Sequence, residues 1–127
     1  LISNTLVKHN GVSDIFSFGI VCYSNSSKIK YLSVSKKTLS KFGAVSANVA
    51  EEMIDNLYLL EKTEITVSTT GIAGPKGGSY AKPVGLVYIG IKFKRKNYIF
   101  KKIFSGKRLD IQRKTKNFTF KKIDELI

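Results

Sequence analysis

The chain has 127 residues, 43% of them hydrophobic, enough for one compact domain with a core and too few for two comfortable ones. One cysteine, Cys22, and one histidine, His9, exclude an internal disulfide framework and a cysteine-rich or paired-histidine metal site, so no metal or other cofactor is expected. The formal charge of +13 invites phosphate-bearing partners, whereas no stretch approaches the roughly 20 apolar residues of a membrane helix and Leu1–Leu6 lacks the basic start of a signal peptide, so a soluble cytoplasmic protein is expected.

In chain order, Leu1 to Lys8 reads as the end of an amphipathic helix closed by Asn10-Gly11. Ile15 to Tyr23 is rich in Ile, Val and aromatics and too short for a helix, so a buried strand is predicted, with Cys22 an inert buried thiol within it. Ser24 to Ser27 offers caps for a short helix through Leu32, and Ser35 caps a second running to Phe42 and ended by Gly43. Ser46 opens the clearest helix, Ala47 to Leu60, with Val49, Met53, Leu57 and Leu60 at helical spacing. Strands are predicted at Glu64 to Thr70, Val84 to Phe93 and Tyr98 to Phe104, the last two joined by the charged turn Lys94-Arg95-Lys96-Asn97. Leu109 to Leu126 reads as a terminal helix. These elements predict one α/β domain of three layers, a mixed sheet flanked by helices.

Three segments carry chemistry. Thr69 to Ser79 places four glycines, Gly71, Gly74, Gly77 and Gly78, after a strand, and such a loop can turn successive N–H groups inward to hold a phosphate or carboxylate. It matches neither the Walker loop nor the dinucleotide glycine pattern, and a glycine-rich strand connection explains it equally well from the residues alone. At the end of the predicted strand, Tyr23 and Lys28 flank Asn25. A phenol and an ammonium sharing one pocket would make a general base of the lysine if burial lowers its pKa, whereas a packed ring and a solvated amine is the plainer arrangement. Ser46, in Gly43-Ala44-Val45-Ser46, can face a ligand or simply cap its helix.

The basic excess is concentrated at the C-terminal end: from Lys92 onward, 13 Lys/Arg stand against 3 Asp/Glu, a balance of +10, and 19 of the 22 basic residues are lysine. Readers of bases and phosphates favour the arginine fork, so a nucleic-acid partner is disfavoured against a drift toward lysine on solvated faces.

Taken together, Gly19-Ile20-Val21 with Tyr23-Ser24-Asn25 and Lys28, then Gly43-Ala44-Val45-Ser46, then Thr70-Gly71-Ile72-Ala73-Gly74-Pro75 with Gly77-Gly78 and Lys82-Pro83-Val84-Gly85, resemble the C-terminal domain of the CinA family in order and spacing. Phe104-Ser105-Gly106-Lys107-Arg108 is similar to its later Phe-Ser-Gly-Asp-Arg segment. The resemblance implies a nicotinamide-nucleotide amidase, a hydrolase of pyridine nucleotide metabolism that deamidates nicotinamide mononucleotide to nicotinate mononucleotide and ammonia. It implies Lys28 as base and Tyr23 as its assistant. Asn25, Ser46, Thr70, Gly71, Ala73, Gly74, Gly77, Gly78 and Arg108 are the substrate-binding residues it implies.

The sequence departs from the family pattern at Phe18, where a glycine is expected, at Lys107 for an aspartate, and at Gln112 for an arginine that Arg113 carries one place along. The family's nucleophile lies in a Glu-Ser-Cys-Thr-Gly-Gly segment before the first helix. The resemblance therefore implies that residues 1–127 lack that segment, the first strand and the start of the first helix. An amidohydrolase impaired for want of its nucleophile is one expectation, and a non-catalytic mononucleotide- or phosphate-binding protein is the alternative. The partner expected is a small-molecule mononucleotide, with homo-oligomer formation left open and no membrane.

Overall fold

The computed structural model describes residues 1–127. Helix α1 spans Ile2–Leu6 and is followed by a 3-10 turn at Val12–Asp14, helices α2 (Asn25–Leu32), α3 (Lys36–Phe42) and α4 (Ala47–Glu61), strands β1 (Ile65–Gly71), β2 (Leu86–Phe93) and β3 (Lys96–Ile103), and helix α5 (Arg108–Leu126).

Helix α4 forms where sequence and capping agree. Ser46 accepts a hydrogen bond from the Val49 N–H at 3.2 Å, satisfying an orphan donor of the first turn. Val49, Ala50, Met53 and Ile54 fall on one buried stripe, and complete burial of a side chain such as Ile54 contributes roughly 1.5–3 kcal/mol. The stripe packs on the sheet: the Ser68 hydroxyl donates to the Ala50 carbonyl at 2.7 Å, and Gly90 leaves room where a Cβ would stand 3.1 Å from that same carbonyl. Toward α2 and α3, Val49 and Met53 join Cys22, Leu32, Val34 and Leu39 in a second apolar cluster.

The opposite face of the sheet is more apolar. Val87, Ile89 and Ile91 of β2 pack with Ile111 of α5, and Phe118 meets Phe100 and Phe104 edge to face. Thr115 and Thr119 lie on the same buried face because each hydroxyl donates to the carbonyl four residues earlier, at 2.8 Å. The order of layers is thus α4, sheet, α5, with α2 and α3 beside α4.

Two expectations need correction. The sheet is antiparallel throughout, in the order β1-β2-β3, and not mixed. Its hairpin turns on Lys94 and Arg95, both at positive φ, the geometry that matches the twist of flanking strands. The second is the predicted buried strand Ile15 to Tyr23, which pairs with nothing. It forms no ladder, and the N–H groups of residues 17–22 donate no hydrogen bond within the protein. Ile15 and Val21 are 79% and 87% exposed, Phe16 is half-buried, and only Cys22 is buried. β-rich composition describes how a segment packs once a neighbouring strand is present, and no strand flanks this one. The outer edge of β1 is likewise free, since β1 pairs with β2 alone.

Candidate functional site

Four chain reversals converge at one end of the sheet: the junction of the extended segment with α2, the 42–46 turn, the loop 72–85 between β1 and β2, and the turn before α5. At the first, Ser24 caps α2, bonding reciprocally with Ser27 at 3.1 Å in each direction. This cap turns the helix back on the end of the extended segment. Lys28, one residue further, therefore points at the chain it has just left: Nζ donates to the Cys22 carbonyl at 2.9 Å and, more weakly, to the Tyr23 carbonyl at 3.4 Å.

Lys28 is 7% exposed and has no carboxylate partner. Desolvation holds its pKa below the ordinary 10.5, an effect partly opposed by the nearby Cys22 and Tyr23 side chains. Two backbone carbonyls thus take the place of water around the amine.

Tyr23 and Lys28 do not meet as phenol and ammonium. The Tyr23 ring is 80% exposed, and its hydroxyl accepts from Arg108 Nη2 at 3.0 Å, while Nη1 of the same guanidinium donates to the Gly74 carbonyl at 2.9 Å. Lys28 touches the backbone of Tyr23, and Arg108 touches its side chain. Arg108 thereby ties the end of the extended segment to the glycine-rich loop.

That loop has a specific internal construction. A Cβ on Gly74 would come within 2.5 Å of Val84 Cγ1, and one on Gly78 within 2.7 Å of the Val84 nitrogen, so both glycines permit the loop to close around Val84. A Cβ on Gly77 would meet only Ile72 Cγ2 at an ordinary 3.8 Å, and this glycine instead meets a positive φ of 93°. The N–H groups of Ala73, Gly74, Lys76, Gly77 and Gly78 donate to no protein acceptor. Packing thus accounts for two of the glycines, and a row of free donors remains.

The other sequence-predicted residues are structural in the contacts they make. The Ser46 hydroxyl donates to the Gly43 carbonyl at 2.9 Å while accepting from Val49, so it closes a turn and caps α4 and is not free to face a ligand. The Thr70 hydroxyl, 7% exposed, donates to the Ala44 carbonyl at 2.8 Å and joins the end of β1 to the same turn. Gly71 allows β1 to lie against β2, where a Cβ would stand 2.9 Å from the Leu86 carbonyl. Asn25 is exposed on the first turn of α2 and makes no side-chain hydrogen bond. A contact the sequence did not reveal is that of Lys82, whose ammonium donates to the Phe42 carbonyl at the end of α3. Forty residues separate the pair, and no periodicity reports such a contact.

No group of three or more His, Cys, Asp or Glu side chains is placed to hold a metal ion. A polar depression of about 200 Å³, lined by Thr38, Asn48, Glu51, Glu52 and Asp55, contains none of the residues described above. No helix is long and apolar enough to cross a membrane.

Comparison with known proteins identifies the family and the fold. The family model for the CinA C-terminal domain matches residues 1–127. A CinA-like protein of Fusobacterium nucleatum is 50% identical over 114 residues, covering 90% of this chain and 27% of that protein, so the chain spans about a quarter of the relative's length. Among solved structures, a competence/damage inducible protein from Agrobacterium tumefaciens superposes with a TM-score of 0.94 at 32% identity, over 98% of this chain and 77% of that one. A CinA superfamily protein from Escherichia coli gives a TM-score of 0.94 at 26% identity, over 99% and 73%. The chain therefore belongs to the CinA C-terminal domain family.

Proposed function

We propose that this chain is the scaffold of an amidohydrolase that converts nicotinamide mononucleotide to nicotinate mononucleotide and ammonia in the cytoplasm, with Lys28 as proton acceptor. The observation that carries the reading is the buried, desolvated Lys28 amine, held by two backbone carbonyls with no carboxylate beside it. A lysine whose pKa is lowered by burial gives up its own proton more readily than a solvated one, which suits it to take a proton from an attacking hydroxyl. Tyr23, fixed by Arg108, stands at the mouth of the same site, and the free N–H groups of residues 73–78 suit the substrate phosphate or the oxyanion formed on attack. The nucleophile in this reading is the serine of a Glu-Ser-Cys-Thr-Gly-Gly segment preceding α1, since Lys28 Nζ contacts no hydroxyl within residues 1–127.

The free loop donors also support a second reading, a mononucleotide- or phosphate-binding protein without turnover. Calorimetric titration with nicotinamide mononucleotide alongside an ammonia-release assay separates the two. Turnover abolished by Lys28→Ala supports the amidohydrolase, and binding with no turnover in any form that carries the serine segment supports the binder.

A further inference from the structure

We propose that Lys82 is a positioning residue: by donating to the Phe42 carbonyl it clamps the glycine-rich loop to the 42–46 turn and fixes the loop's free N–H groups relative to Tyr23 and Lys28. The loop is closed at its base by Ile72 N–H to the Leu86 carbonyl and Gly85 N–H to the Ile72 carbonyl, at 2.9 and 2.7 Å. Farther out it bonds mainly to itself, through Ser79 N–H to the Lys82 carbonyl at 2.8 Å and Lys82 N–H to the Ser79 hydroxyl at 3.1 Å. From beyond that base three hydrogen bonds reach the rest of the protein: Leu86 N–H to the Pro83 carbonyl at 3.0 Å, Arg108 to the Gly74 carbonyl, and Lys82 to the Phe42 carbonyl.

The acceptor suits the donor. The Phe42 carbonyl belongs to the last turn of α3, where carbonyls lack intrahelical partners and a cation is favoured. Gly43 makes room: at φ of 76° it carries no Cβ, and one built there would lie 2.9 Å from Lys82 Nζ. Thr70 holds the same turn through the Ala44 carbonyl. A ring of contacts results, running from β1 through Thr70, the 42–46 turn, Phe42 and Lys82 back along the loop to β1. Lys82 is the hydrogen-bonded link from the loop to the 42–46 turn, so its loss should loosen the Ser79–Lys82 stretch, with Arg108 still holding Gly74, and should not disturb Lys28.

Hydrogen exchange on the whole chain tests this without any ligand. Lys82→Met should accelerate exchange of the hydrogen-bonded Ser79 and Lys82-position amides about tenfold, the effect expected for one lost charged hydrogen bond. Lys82→Arg, which keeps a donor, should stay near wild type. Gly43→Ala, which displaces the ammonium without removing it, should reproduce the acceleration. Unchanged exchange in Lys82→Met, or equal acceleration in Lys82→Met and Lys82→Arg, overturns the proposal. The kinetic arm rests on the amidohydrolase reading: with the serine segment present, Lys82→Met should raise KM for nicotinamide mononucleotide and leave kcat unchanged. A raised KM with unchanged exchange would place Lys82 on the ligand itself and also overturn positioning. Absence of turnover in wild type would sink the amidohydrolase reading alone, because the exchange arm stands by itself.

Discussion

The Tyr23 hydroxyl and the Arg108 guanidinium meet at 3.0 Å although 85 positions separate them in the chain, and the second arm of the guanidinium holds the Gly74 carbonyl. One planar fork therefore sets the spacing between the tyrosine and the glycine-rich loop. Arg108→Lys should not preserve it, because an ammonium is a single point and cannot span two acceptors in a fixed plane. Expected is a rise of about tenfold in the KM for nicotinamide mononucleotide for either Arg108→Lys or Arg108→Met. The melting temperature should barely move, since both partners lie at the surface. Steady-state kinetics paired with thermal melts checks this, and full function in Arg108→Lys would show that the fork is not needed.

Lys28 makes stability depend on pH in a direction fixed by its burial. Its pKa in the folded chain lies below the ordinary 10.5, so between the two values the unfolded chain binds more protons than the folded one and stability rises with pH. Below the folded value the desolvation cost is fully present, and above 10.5 it is gone. Lys28→Met removes this dependence. Urea titrations from pH 7 to 10.5 should show wild type gaining stability relative to Lys28→Met, and parallel curves would mean that the amine is not desolvated.

Ser46 separates a capping role from a ligand role. Ser46→Ala removes the bonds to Val49 N–H and to the Gly43 carbonyl and should cost about 1–2 kcal/mol in chemical denaturation. Affinity for the mononucleotide should change little once the protein is folded. A large loss of binding with unchanged stability would return Ser46 to the substrate.

The unpaired segment gives a contrast in stability. Amides of residues 17–22 should exchange at nearly unprotected rates, and Val21→Thr should change stability by less than about 0.5 kcal/mol. Ile54→Ala, in the core against the sheet, should cost roughly 2–5 kcal/mol. Comparable losses at the two positions would mean that residues 17–22 are packed in solution.

Much of the fold is legible in the residues, for local reasons. Helix α4 announces itself by the Ser46 cap and the spacing of Val49 and Met53, and β2 and β3 by β-branched runs on either side of a charged turn, because caps, periodicity and turns act over a few residues. Ile15 to Tyr23 misleads for the complementary reason: its composition fits a strand, but pairing depends on a neighbour that composition does not describe. In the site, Thr70 to Pro75 and the pair Tyr23 and Lys28 stand out as motifs. The orientation of Lys28 toward carbonyls, of Tyr23 toward Arg108 and of Lys82 toward Phe42 depends on chain reversals that bring distant residues together, and no local pattern encodes them.

The most direct test of the central claim is ammonia release from nicotinamide mononucleotide, compared between residues 1–127 alone, the same chain preceded by a family Glu-Ser-Cys-Thr-Gly-Gly-bearing segment, and that longer form with Lys28→Ala. Turnover by the longer form, little by residues 1–127, and loss of turnover in Lys28→Ala are the predicted results. Undiminished ammonia release by the Lys28→Ala form would contradict the assignment of Lys28 as the proton acceptor and, with it, this account of the site.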